Sequence, residues 1–187
     1  MLHLLKEALK ELPDLLGRDG PSWNSLYIDY HKPFVSRVWI PWRDNRINLH
    51  KIEPCLGSEA LYHPHPWPSA MIVLDGAYMM NVGHGQGLEK PPVAATMLMT
   101  RGSCYEMTDV DAWHSVQPLE TTYSIMITGT PTGRIFPGPN KDLRGLTKLE
   151  IIDLLTMGYL TLQRLELDKK SNSFYQTYLT NTRRGSK

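Results

Sequence analysis

Between Tyr62 and Ser69 the chain reads Tyr-His-Pro-His-Pro-Trp-Pro-Ser, and this run leaves the backbone little choice. Each proline disfavours the α region for the residue before it, so Pro64, Pro66 and Pro68 hold His63, His65 and Trp67 extended. In an extended chain alternate side chains share a face, which sets His63 and His65 side by side, one pleat apart. The prolines also lack the N–H groups that a central strand must donate. The segment therefore belongs at a sheet edge, a bulge or a barrel mouth. Two imidazoles so placed can share a metal ion and stay within reach of a small molecule.

The chain around this run is β in texture. From about Trp23 to Thr130, short segments rich in Val, Ile, Tyr, Thr and Met are punctuated by Gly, Pro, Asp and Asn. Candidate strands are Phe34 to Ile40, Ile47 to Ile52, Met71 to Leu74, Ala77 to Val82, Ala95 to Thr100, Ser103 to Met107 and Tyr123 to Thr128. A further one passes through His114. No helical segment separates them, which favours a sandwich or barrel over alternating βαβ units. The expected organisation is a single domain over 1–187: a helix at 1–17, a β-barrel at 23–130, a helix at 147–167 and a polar tail at 168–187.

Leu2, Leu5, Leu9, Leu12 and Leu16 form the apolar stripe of the first helix, which Gly17 and Gly20 end. Lys6, Glu7, Lys10, Glu11 and Asp14 interrupt it, which argues against an export signal. The second helix opens on the capping box Thr147-x-x-Glu150, after a loop from Gly129 to Gly145. The tail ends in Arg183, Arg184 and Lys187, and its end is expected to be disordered.

Charge and cysteine content narrow the function classes. Twenty basic and 19 acidic residues give a net charge of +1, which provides no electrostatic footprint for nucleic acid. Cys55 and Cys104 form neither a disulfide framework nor a zinc ribbon and are expected to be buried free thiols. No run of about 18 apolar residues predicts a membrane span. A cytoplasmic location is the expectation.

A third histidine raises the weight of the His63–His65 pair. His114 follows the turn-forming Asp109-Val-Asp111 and enters another β segment. The spacing of Gly57, His63, His65 and Gly76 resembles the first motif of the cupin family, and His114 matches the histidine of its second motif. Ser69 stands where that motif carries glutamate, and Asp109 and Asp111 replace the Pro and Gly of the second. The resemblance implies a double-stranded β-helix (a jelly-roll barrel), all-β, with flanking N- and C-terminal helices. Its metal would be held in one mouth by His63, His65 and His114.

Cupins with three histidines and no carboxylate include thiol dioxygenases of the cysteine dioxygenase type and related iron enzymes that work without 2-oxoglutarate. The resemblance thus implies an oxidoreductase, an Fe(II) dioxygenase acting on a small carboxylate- or thiol-bearing molecule. Nickel, zinc, copper and manganese suit the same nitrogens. A non-enzymatic metal- or ligand-binding module and a metal-dependent isomerase or lyase are the alternatives, and homodimerisation through barrel edges is a further expectation.

Arg37 alternates with Val35 and Trp39, so it shares their face. If that face is the interior, the arginine needs an anionic partner, either a protein carboxylate or a substrate. In the thiol dioxygenases an arginine on an upstream strand binds the substrate carboxylate, and Arg37 is the candidate for that role. The Ser-x-His-x-Tyr run of that family is absent after His114, and Ala70 stands where some members carry cysteine. His84, in a glycine-rich loop, reads as solvent-exposed; His3, His31 and His50 have no paired ligand spacing. Tyr62, Trp67, Tyr105 and Trp113 flank the expected ligands, and Glu53, Glu59, Glu106 and Asp111 are candidates to orient them.

Overall fold

The computed structural model describes residues 1–17, 23–87, 89–133 and 142–184. Helix α1 (Leu2–Leu16) buries Leu5, Ala8, Leu12, Leu15 and Leu16, and Gly17 closes it by donating its N–H to Pro13 O. Strands β1 (Asn24–Ile28), β2 (Val35–Trp42), β3 (Asn45–Ile52), β4 (His63–Pro64), β5 (Ser69–Asp75) and β6 (Ala77–His84) follow. After them come β7 (Ala95–Thr100), β8 (Cys104–Met107), β9 (Ala112–Pro118), β10 (Thr122–Thr128) and helix α2 (Lys148–Arg184).

The strands form two antiparallel sheets. The larger runs β1-β2-β3-β10-β5-β8 and the smaller runs β4-β9-β6-β7. They close a cupin-like double-stranded β-helix with the helices outside it, a barrel as the strand texture predicts and of the class that the family resemblance implies. The β5–β6 turn depends on Gly76, at φ +84°, where a Cβ would lie 2.7 Å from Thr121 O.

Both faces of the larger sheet are covered, but by different things. Val38, Trp42, Ile47, Leu49, Ala70, Ile72, Leu74, Ile125 and Ile127 point outward into one cluster with Leu5, Leu12, Leu154, Leu155 and Leu162 of the helices. This is the principal core, and it lies between sheet and helices. The alternate residues, among them Val35, Arg37, His50, Met71 and Met126, face the barrel interior and line a cavity. Because the helix layer supplies the main apolar burial, the interior need not be filled by side chains.

The capping box of α2 is present: Thr147 N–H donates to Glu150 Oε2 at 2.7 Å, and Glu150 N–H donates to Thr147 Oγ1 at 3.3 Å. Hydrogen bonds from Thr147 and Arg144 hold the Glu150 carboxyl down at about 2.

Three expectations need correction. The helix expected to stop at 167 continues to Arg184, because residues 168–184 hold no proline or glycine to end it. The expected disorder at the chain end falls, for 185–187, outside the described residues. The strand β1 was not anticipated, since Asn-Ser-Leu-Tyr-Ile is short and shows no clean alternation. Neither cysteine is fully buried: Cys104 is exposed on edge strand β8 and Cys55 is half-buried, both as free thiols. Among the described residues no helix is long and apolar enough to cross a membrane.

Candidate metal centre

Strand pairing brings the three histidines together. β4 is the edge of the smaller sheet, where its prolines require it to be, and it pairs with β9 so that His63 lies opposite His114. His65 leaves β4 on the same face as His63, and the two rings stack with centroids 5.3 Å apart. The His114 ring stands edge-on to both, at 4.9 Å from His63 and 4.5 Å from His65. One ligand atom from each of the three lies within 4.8 Å of the others.

The hydrogen bonds decide which nitrogens carry lone pairs. His63 Nδ1 lies 3.0 Å from Leu61 O. A carbonyl only accepts, so Nδ1 carries the proton and the lone pair sits on Nε2. His65 Nδ1 lies 3.1 Å from Ser69 Oγ, a hydroxyl that can accept its proton and so leave the Nε2 lone pair free in the same way. Ser69, in the slot of the cupin glutamate, therefore holds a histidine. His114 Nε2 lies 2.8 Å from His65 Nε2, while His114 Nδ1 is buried without a hydrogen-bond partner among the described residues.

These donors fit a divalent transition metal. Two nitrogens bound at about 2.1 Å and at right angles stand about 3.0 Å apart, close to the separation that His65 and His114 already hold. Burial keeps all three imidazoles neutral, as ligation requires: desolvation pushes His63 down to about 4 and His65 and His114 well below their ordinary value. Replacing Ser69 by alanine should leave His65 Nδ1 unsupported and weaken metal affinity by roughly tenfold, read by competition with a chromophoric chelator. An unchanged affinity would show that the Ser69 contact does not orient His65.

The neutral histidines also set a pH dependence in metal-free protein. Their pKa values are lower folded than unfolded, so the unfolded chain takes up protons first as pH falls. The stability they permit is present above about 6.5 and is lost progressively toward about 4. Each such group should cost on the order of 1 kcal/mol between pH 7.5 and 5.5. Denaturant titration of chelator-treated protein at the two pH values checks this; equal midpoints would mean the imidazoles are not desolvated.

The histidines open on a cavity of about 280 Å³. Arg37 faces it, on the same side of β2 as Val35. Its Nε–H donates to His50 Nε2 at 2.9 Å, and His50 Nδ1 lies 3.4 Å from Ser124 Oγ. Arg37, His50 and Ser124 are register partners across β2, β3 and β10, so the chain of contacts follows from strand pairing. Among the described residues Arg37 forms no ion pair; burial brings its guanidinium down to about 10. A second cleft of about 300 Å³ shares Arg37 and Trp67 with the cavity.

His50 and His31 both line the cavity, which the search for paired ligand spacing missed. The available signal for His50 was its alternation with Ile47 and Leu49, which sets it on the opposite face of a strand buried on both sides. Tyr105 lies 6.4 Å from His114 by ring centroids, and Trp67 lines the cavity. His84 is exposed and lies outside the cavity, 3.1 Å from Asp109. Two of the candidate orienting carboxylates are engaged elsewhere: Glu59 accepts from Leu56 N–H, and Glu106 from the N-terminus.

No family model matches the chain, and no curated protein does. Among solved structures, hydroxypropylphosphonic acid epoxidase from S. wedmorenis aligns at 13% identity and TM-score 0.46, over 59% of this chain and 57% of that one. A Streptomyces albus protein, HEPD, solved with 2-hydroxyethylphosphonate and Fe(II), aligns at 8% identity and TM-score 0.41, over 54% of this chain and 22% of that one. The chain thus spans little more than half the length of the epoxidase.

Proposed function

We propose that the chain is a metal-dependent oxidoreductase of the cupin type, in which His63, His65 and His114 hold one Fe(II) and Arg37 orients an anionic substrate. The observation that carries this is the convergence of three imidazoles, His114 buried and His63 and His65 half-buried, on one cavity that also presents Arg37, which has no carboxylate partner among the described residues. Bound there, Fe(II) supplies the redox chemistry for oxidation by dioxygen. A triad without a carboxylate leaves the ion its full 2+ charge, which favours an anionic group beside it.

The protein's own contribution is binding and orientation. Arg37, fixed through His50, draws the anionic group to one wall, and the surrounding apolar side chains exclude water from the reacting end. His31 and Tyr30 also line this space. A dioxygenase acting on a carboxylate- or thiol-bearing molecule without 2-oxoglutarate is the specific form of this proposal.

Elemental analysis of the purified protein, combined with oxygen uptake across a panel of small carboxylates, thiols and keto acids, tests it. About one transition-metal ion per chain and substrate-dependent uptake are expected. Stoichiometric metal without any uptake would favour a non-redox role for the site; absence of metal would overturn the proposal as a whole.

A further inference from the structure

The cavity beside the histidines has a one-sided chemistry. Most of its lining is aliphatic or thioether, including Leu26, Ile28, Val35, Ile52, Met71 and Met126. Among the described residues no carboxylate lines it, and Arg37 is the one arginine or lysine in its wall. The arginine is not idle surface: Nε–H is fixed on His50, itself 3% exposed and supported by Ser124. The other guanidinium N–H groups have no carboxylate partner among the described residues, and an arginine half-buried in this way is stabilised by an incoming anion.

We infer that the cavity selects a monoanion with an apolar body and no ammonium group, its carboxylate on Arg37 and its hydrocarbon part against the aliphatic wall. This rests on the proposed function and narrows its substrate class. An α-amino acid is disfavoured for a direct reason: its ammonium would lose hydration in a chamber that offers no counter-charge, a loss that the arginine at the carboxylate end does not offset. A plain alcohol of the same length gains the apolar contacts but not the charge-assisted hydrogen bonds.

Isothermal titration calorimetry of the full chain, as purified and under nitrogen so that nothing turns over, tests the inference with hexanoate, hexan-1-ol, hexylamine and norleucine. Hexanoate should bind most tightly and the amine and amino acid least. Arg37→Gln should weaken hexanoate roughly 10- to 100-fold and leave hexan-1-ol unchanged. Norleucine or hexylamine binding as tightly as hexanoate would overturn the inference, as would hexanoate affinity indifferent to Arg37. The ligand series in unaltered protein is decisive even if the Arg37 variant fails to fold. Metal content measured on the same samples separates the two readings: protein that carries metal yet prefers norleucine loses this inference and keeps its metal centre.

Discussion

His63→Ala, His65→Ala and His114→Ala should each lower metal affinity by more than roughly 100-fold, beyond the loss expected when an orienting partner alone is removed. Three ligands are the fewest that fix an ion on one face, and two imidazoles of a broken set hold it poorly. The His114 variant is the most informative. Its ring stands edge-on to both others, so its removal breaks the 2.8 Å contact with His65 as well as one ligand position. His84→Ala should leave metal content unchanged, since that residue is exposed and lies outside the cavity. Stoichiometric metal measured in all four purified variants would remove the three-histidine assignment.

The largest effect on stability is expected where helix meets sheet. Leu49 is fully buried at the centre of β3, and α2 approaches it at Gly158, where a Cβ would lie 2.5 Å from Leu49 Cδ2. Leu49→Ala should cost about 3 kcal/mol, the usual loss for a buried leucine whose surroundings relax only in part. Gly158→Ala should also destabilise, by about 1–3 kcal/mol, because overpacking outweighs the better helix propensity of alanine. In the double variant the new methyl enters the space that the leucine vacates. The combined loss should therefore fall well short of the sum. Urea unfolding of the four proteins measures this; strictly additive losses would show that the two residues do not share the space.

How much of this the sequence shows depends on the range over which each signal acts. The pairing of His63 with His65 was legible because proline and β alternation are local constraints: Pro64 and Pro66 dictate the geometry of these two residues before any tertiary contact forms. The capping box at Thr147 was legible for the same reason. His50 was not, because its value comes from register. It matters through Arg37 on the preceding strand and Ser124 on β10, and the second pairing, between residues 74 apart in the chain, leaves no mark in either segment alone. Ser69 shows a subtler limit. As a substitute for glutamate it looked like a lost ligand, whereas its hydroxyl lies 3.1 Å from His65 Nδ1. The extent of α2 was missed because a polar sequence without helix breakers carries no stop signal, only the absence of an apolar stripe.

The two-residue strand β4 has a consequence for the mechanics of the chain. With only His63 and Pro64 in the ladder, and a proline that donates nothing, the backbone ties this segment weakly to β9. A slip of one residue would turn His63 and His65 to the opposite face and put Pro64 in front of His114. An ion held by His63, His65 and His114 would forbid that slip. It would also close a covalent-like loop of about 50 residues, from position 63 to position 114, and a crosslink of that span removes about 4 kcal/mol of conformational freedom from the unfolded chain. The centre would then serve as a clasp on the barrel mouth, and stripping its ion should loosen residues 61–69 before any other part of the barrel.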